Sequence, residues 1–199
     1  MAEISTNRTM TSKEIKNALR VLVKAQRPAF IWGQPGVGKS AVVSELCKEF
    51  GGKLYDIRLS QCEPTDLRGM PFFNHTTGMM EWAPPVDLPT EEDAAHYPVV
   101  FLFMDEMNSA APNLQAAAYQ LVLDRKVGTY TLPDNVFVVA AGNREGDRGV
   151  TYRMAKPLSN RMVHFEMRVD KDSWVEWAVN NNIHPDVVGF IQFSADSLN

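Results

Sequence analysis

The run Gly33-Gln34-Pro35-Gly36-Val37-Gly38-Lys39-Ser40 constrains this chain more than any other feature, because it matches G-x-x-x-x-G-K-[ST] at every fixed position. The apolar stretch 28–32 before it reads as a short buried strand, and a helix is expected over 39–50 after it. In a strand–turn–helix setting each residue type has a task. Glycines let backbone N–H groups curl around a phosphate, the helix N-terminus adds its dipole, Lys39 reaches the outer phosphate oxygens, and Ser40 ligates Mg²⁺. Gln34, Pro35, Val37 and Ala41 complete the cradle. The alternative is a glycine-rich turn of purely structural use, and the flanking strand and helix argue against it.

The other signals along the chain alternate between strand and helix. Thr11-Ser12-Lys13-Glu14 has the T-x-x-E form of a capping box, with Ile15, Leu19, Leu22 and Val23 following at helical spacing, so a helix is expected to about residue 26. A second strand is expected over 54–59. A long polar, proline-containing passage over 60–98 follows, with a hairpin formed by 70–73 and 79–82 around a five-residue loop, 74–78. The stretch 99–104 is apolar without alternation, as strands covered on both faces are. A helix over 113–124, a small hairpin around 126–130, strands over 136–141 and 162–165, and helices over 171–181 and 185–193 complete the series. Strands alternating with helices mean a parallel α/β sheet.

Asp105-Glu106 closes the apolar strand, and ligands of doubly wound sheets bind beyond the carboxyl ends of strands. A carboxylate there can hold a Mg²⁺ shell, and the adjacent glutamate can orient or deprotonate an attacking water. An Asp-Glu pair alone is a common turn; its meaning comes from the cradle upstream.

Taken together, Gly33 to Ser40, Phe103-Met104-Asp105-Glu106, Val138-Val139-Ala140-Ala141-Gly142-Asn143 and Leu158-Ser159-Asn160-Arg161 resemble AAA+ ATPases, specifically the MoxR and dynein-related (midasin-like) branch. Pro64-Thr65-Asp66-Leu67-Arg68-Gly69-Met70-Pro71 with Glu81-Trp82-Ala83-Pro84-Pro85 is similar to the segment that follows the second strand in that branch. The resemblance covers about 29–165. It implies a five-stranded parallel P-loop sheet flanked by helices, in which the strand ending at Asn143 lies between the cradle strand and the Asp105 strand. It further implies ATP and Mg²⁺ as ligands, with Ser40 and Asp105 on the metal, Glu106 on the water and Asn143 as γ-phosphate sensor. Arg161 would reach a neighbouring subunit's nucleotide in a homo-oligomeric ring, hexameric by family habit, with Arg153 and Arg148 as fallbacks. The hairpin 69–86 resembles an insertion that handles a protein client, and a client with a von Willebrand A-type domain is implied. Phe72, Phe73 and Trp82 would then be grips; packing on the sheet is the other reading.

The expected division is an α/β core over 1–168, with a helical N-terminal segment at 10–26, and the start of a C-terminal helical lid over 169–199. No second sensor arginine is visible there, so the expectation is either a truncated chain or an abbreviated lid.

The net charge of −4 and the absence of a Lys/Arg block make nucleic acid an unexpected partner. No apolar run approaches the roughly 20 residues of a membrane span, no basic-then-apolar leader opens the chain, and Cys47 and Cys62 lack CxxC spacing. A cytoplasmic location is therefore expected. The leading reading is a Mg²⁺-dependent ATPase that remodels or matures a protein client. Two alternatives stand beside it: a P-loop phosphotransferase acting on a small molecule, and a nucleotide-gated binding module with little turnover.

Overall fold

The computed structural model describes residues 9–144, 152 and 160–194. Its centre is a six-stranded sheet, parallel throughout. In chain order the elements are β1 (Thr9–Met10), α1 (Ser12–Ala25), β2 (Ala29–Trp32), α2 (Lys39–Glu49), β3 (Lys53–Arg58), α3 (Pro64–Arg68), β4 (Met70–Asn74) and β5 (Met79–Ala83). Then come α4 (Glu91–His96), β6 (Val100–Asp105), α5 (Pro112–Asp124), β7 (Lys126–Val127), β8 (Tyr130–Thr131), β9 (Val136–Gly142), β10 (Val163–Met167), α6 (Lys171–Asn180) and α7 (Pro185–Phe193). The spatial order is β1-β10-β2-β9-β6-β3. β9 thus lies between the cradle strand β2 and the Asp105 strand β6, as the resemblance implies.

Two cores explain why the central strands are apolar without alternation. Val100, Leu102 and Met104 pack on one face with Val138, Ala140 and the α5 residues Leu114, Ala118 and Leu121. Phe101 and Phe103 turn to the other face, where Phe137, Val139 and Ala141 meet Ile15 and Leu19 of α1 and Val43 and Leu46 of α2. Fully burying side chains of this size contributes about 1.5–3 kcal/mol each. Helices on both faces therefore leave a central strand no polar position.

The capping box at α1 forms as the sequence predicts. Thr11 Oγ1 accepts from Glu14 N, and Thr11 N donates to Glu14 Oε2 (2.9 Å). The sheet has six strands rather than the expected five. Thr9 and Met10 pair in parallel with Glu166 and Met167 of β10, and two residues are too few to carry an alternation signal. Two short helices also occupy the passage 60–98, which reads as irregular in the sequence. Both are capped by their own side chains, Glu63 with Asp66 at α3 and Thr90 with Asp93 at α4. The hairpin loop is one residue shorter than expected, because Asn74 pairs with Met79 and its Oδ1 accepts from Thr76 N (2.8 Å).

Asp93 has a further task. Its carboxylate accepts from Lys53 Nζ (2.7 Å), Tyr55 OH (2.6 Å) and Thr90 Oγ1 (2.7 Å), which fastens α4 to the edge strand β3. Lys53 first, then Tyr55 and Thr90, hold this carboxyl well below the usual carboxylate range.

Candidate functional site

α2 differs from the other long helices in starting from a left-handed glycine, Gly38 at φ 93°, and like α5 it has no side-chain cap and no acidic residue in its first turn. Its orphan N–H groups and the positive end of its dipole are therefore available to an anion, with no side chain of the first turn competing. Gly36 at φ 82° and Gly38 adopt backbone that L side chains rarely take, and a Cβ at either would meet no protein atom within 4 Å. Glycine is favoured there by conformation alone. Gly33 differs, since a Cβ would come within 3.0 Å of Val37 Cγ2 and 3.3 Å of Met167 Cβ.

Lys39 is only 7% exposed and its Nζ bends across the loop, donating to Gly33 O (2.8 Å), Gln34 O (3.0 Å) and Asn143 Oδ1 (3.3 Å). Ser40 and the loop residues Gln34, Pro35 and Gly36 are exposed, with Val37 and Ala41 half-buried. Asp105 ends β6 with its Oδ1 accepting from Glu106 N (2.8 Å). Glu106 sits in the left-handed region at φ 55°, a position that costs a non-glycine residue about 1–2 kcal/mol, and its Oε2 accepts from Ser60 Oγ. Strain of this kind clusters at functional sites, and here it turns the carboxylate off the end of the strand. The sheet order gathers Lys39, Asp105, Glu106 and Asn143 at the carboxyl ends of adjacent strands.

Electrostatically the acidic corner extends to Asp56 on β3. Partial desolvation first, and the Asp105 charge second, push its carboxyl above the usual range, while Arg58 pulls the other way. Among the described residues no group of three or more His, Cys, Asp or Glu side chains is arranged around a cation. The hard oxygens of Ser40 and Asp105 suit Mg²⁺ completed by waters and phosphate oxygens, the usual way this ion is held beside a nucleotide.

Arg161 is brought to a different place. It is exposed and precedes β10 by two residues, where the strands begin, and Val163 N donates to Pro28 O (3.0 Å) at that same end. About 15 Å of strand separates that end from the cradle, at about 3.3 Å per residue. Arg148, Arg153 and the pair Leu158-Ser159 lie outside the described residues.

Sequence reasoning missed Ser60 and Asn108. Ser60 is an unremarked polar residue in the turn after β3, and nothing local to it signals contact with Glu106. Asn108 lies two residues beyond Glu106 and is 3% exposed; its Nδ2 donates to Asn143 O (2.7 Å) and its Oδ1 accepts from Asn143 N (3.1 Å). An amide two places after an acidic strand end was the available signal, but its partner is remote in sequence.

A profile of the ATPase family associated with various cellular activities (AAA) matches residues 29–168. The chain is 27% identical over 179 residues to midasin from Giardia intestinalis, a match covering 84% of this chain and 4% of that protein. Among solved structures it is similar to an ATPase candidate from Cytophaga hutchinsonii, with a TM-score of 0.64, 21% identity, and coverage of 89% of this chain and 52% of the other. NtrX from Brucella abortus is similar in fold too, with a TM-score of 0.52, 15% identity, and coverage of 86% and 41%. The chain thus spans about half or less of the solved chains it matches and a small fraction of the midasin. The family match begins on the cradle strand β2 and ends one residue beyond β10, and by it this chain belongs to the AAA family of ATPases.

Proposed function

We propose that this ATPase works with Mg²⁺ in a ring of its own copies and uses ATP turnover to remodel or mature a protein client, as a MoxR-type chaperone does. The observation that carries the proposal is the separation of two groups. Lys39, Asp105, Glu106 and Asn143 share one end of the sheet, whereas Arg161 stands exposed at the other. An arginine that cannot reach its own cradle is suited to a neighbour's.

Within one subunit, the cradle N–H groups and Lys39 bind the phosphates, after Lys39 leaves the loop carbonyls it now contacts. Ser40 and Asp105 would hold Mg²⁺, which supplies charge neutralisation at the β- and γ-phosphates when bound. Glu106 orients the attacking water and accepts its proton, and Asn143 donates to the γ-phosphate. The expected domain division is kept in this reading, with a core to residue 168, a lid from 169 and the hairpin 69–86 as the client-facing insertion. A von Willebrand A-type protein is the client class this branch suggests.

Turnover per subunit should rise steeply with protein concentration, because an arginine donated in trans requires assembly. A specific activity independent of concentration, in a protein that stays monomeric with ATP and Mg²⁺, would remove the ring from the proposal.

A further inference from the structure

We infer that Asn108 is a positioning residue that sets Asn143 against the γ-phosphate. The inference rests on the reading of Asn143 as the phosphate sensor and adds the group that makes the sensor rigid.

Asn143 follows the last residue of β9, where the ladder stops holding the backbone. Its own N–H and C=O are taken instead by one side chain. Asn108 Oδ1 accepts from Asn143 N (3.1 Å) and Asn108 Nδ2 donates to Asn143 O (2.7 Å), so the amide substitutes for a neighbouring strand's peptide group. The clamp is 3% exposed and lies in the turn Met107–Ser109, immediately after Glu106. Its own backbone is fixed too, since Asn108 O accepts from Tyr152 N (2.7 Å). A buried amide satisfied at both ends is costly to disturb.

The residue before the sensor is shaped to admit the clamp. A Cβ on Gly142 would fall 2.3 Å from Asn108 Oδ1 and 2.9 Å from Phe30 Cζ, so glycine is required there by the close approach of the amide. The sensor's side chain is oriented in turn, because Asn143 Oδ1 accepts from Lys39 Nζ (3.3 Å), which leaves Nδ2 as the donor. Asn108 thereby ties the turn bearing Glu106 to the residue that reads the γ-phosphate. A displacement of one is passed to the other.

The test compares the affinities of the full chain for AMP-PNP and ADP, both with Mg²⁺. A hydrogen bond to a charged phosphate should give the unmodified chain a preference of about tenfold or more for the triphosphate analogue. Asn108→Ala should bring that ratio close to one while ADP affinity changes by less than about threefold. Gly142→Ala, which drives a methyl into the clamp, should do the same and carries the test if Asn108→Ala does not fold. In the Asn108→Ala background, Gly142→Ala should add little further loss. Gln115→Ala removes an equally buried amide, bonded to Ala110 O (2.9 Å), and should keep the full ratio.

Folded Asn108→Ala and Gly142→Ala proteins that keep the ratio overturn the inference. Asn143→Ala separates it from the sensor reading. If that variant loses the ratio and the clamp variants do not, only the clamp falls; if it keeps the ratio, or if the unmodified chain has no preference, both fall.

Discussion

At the scale of single residues, the proposed roles separate binding from hydrolysis. Lys39 is buried against the loop carbonyls of the cradle itself, so Lys39→Ala should abolish detectable nucleotide binding in a fluorescent-ATP titration. The Glu106 carboxylate bonds Ser60 on the turn after β3, so Glu106→Gln should keep ATP affinity within a few-fold while lowering kcat by about a hundredfold or more. Normal turnover in that variant would remove Glu106 from its role. How far these residues could be read beforehand depended on whether their meaning is local. Gly33 to Ser40 are contiguous and carry their own strand and helix, and Asp105-Glu106 ends a strand that is itself unmistakable. Asn108 and Ser60 touch their partners only after β9 and β3 are set beside β6, and no local pattern encodes that adjacency.

At the scale of elements, the long helices and the central strands were legible because each has a period or a cap of its own. The two short hairpins were legible too, from their turn residues, whereas β1, α3 and α4 were not. α4 rests on Thr90 and Asp93, and its identity comes from β3, which supplies Lys53 and Tyr55. That network predicts a pH response. Because the folded-state carboxyl of Asp93 titrates below its unfolded value of about 3.9, its stabilisation is present above that pH and fades as pH falls toward the folded value. Thermal melts should show Asp93→Asn less stable than the unmodified chain by a constant margin above about pH 5, narrowing below pH 4; a margin unchanged at pH 3 would count against it. The hairpin β4–β5 raises a different question, since Met70, Phe72, Phe73, Met79, Met80 and Trp82 are all at least 40% exposed on its two faces. Of the two readings of these side chains, exposure favours contact with another molecule over packing on the sheet. Replacing Phe72 and Phe73 together by Ala should leave Tm and basal ATP turnover almost unchanged and abolish client remodelling. Unimpaired remodelling would assign the grip elsewhere.

For the whole molecule, the sheet order was legible only through family likeness, since periodicity identifies strands without ordering them. Its clearest consequence is the opposition of cradle and Arg161. Mixing two inactive variants tests it directly: Arg161→Ala supplies an intact Glu106 and Glu106→Gln supplies an intact arginine, so mixed rings should regain turnover that neither variant has alone. No gain on mixing, with both variants shown to co-assemble, would contradict donation in trans. The same order governs when the site can exist at all. β2 has its two neighbours more than a hundred residues downstream, Ala29 pairing with Val139 and with Val163, and β1 pairs with β10 later still. A chain emerging from the ribosome therefore exposes its glycine loop early, beside a lone apolar strand with nothing to pair with. Only when β10 has been made do the first and last strands close the sheet, so the segment most easily found in the sequence is among the last to become a site.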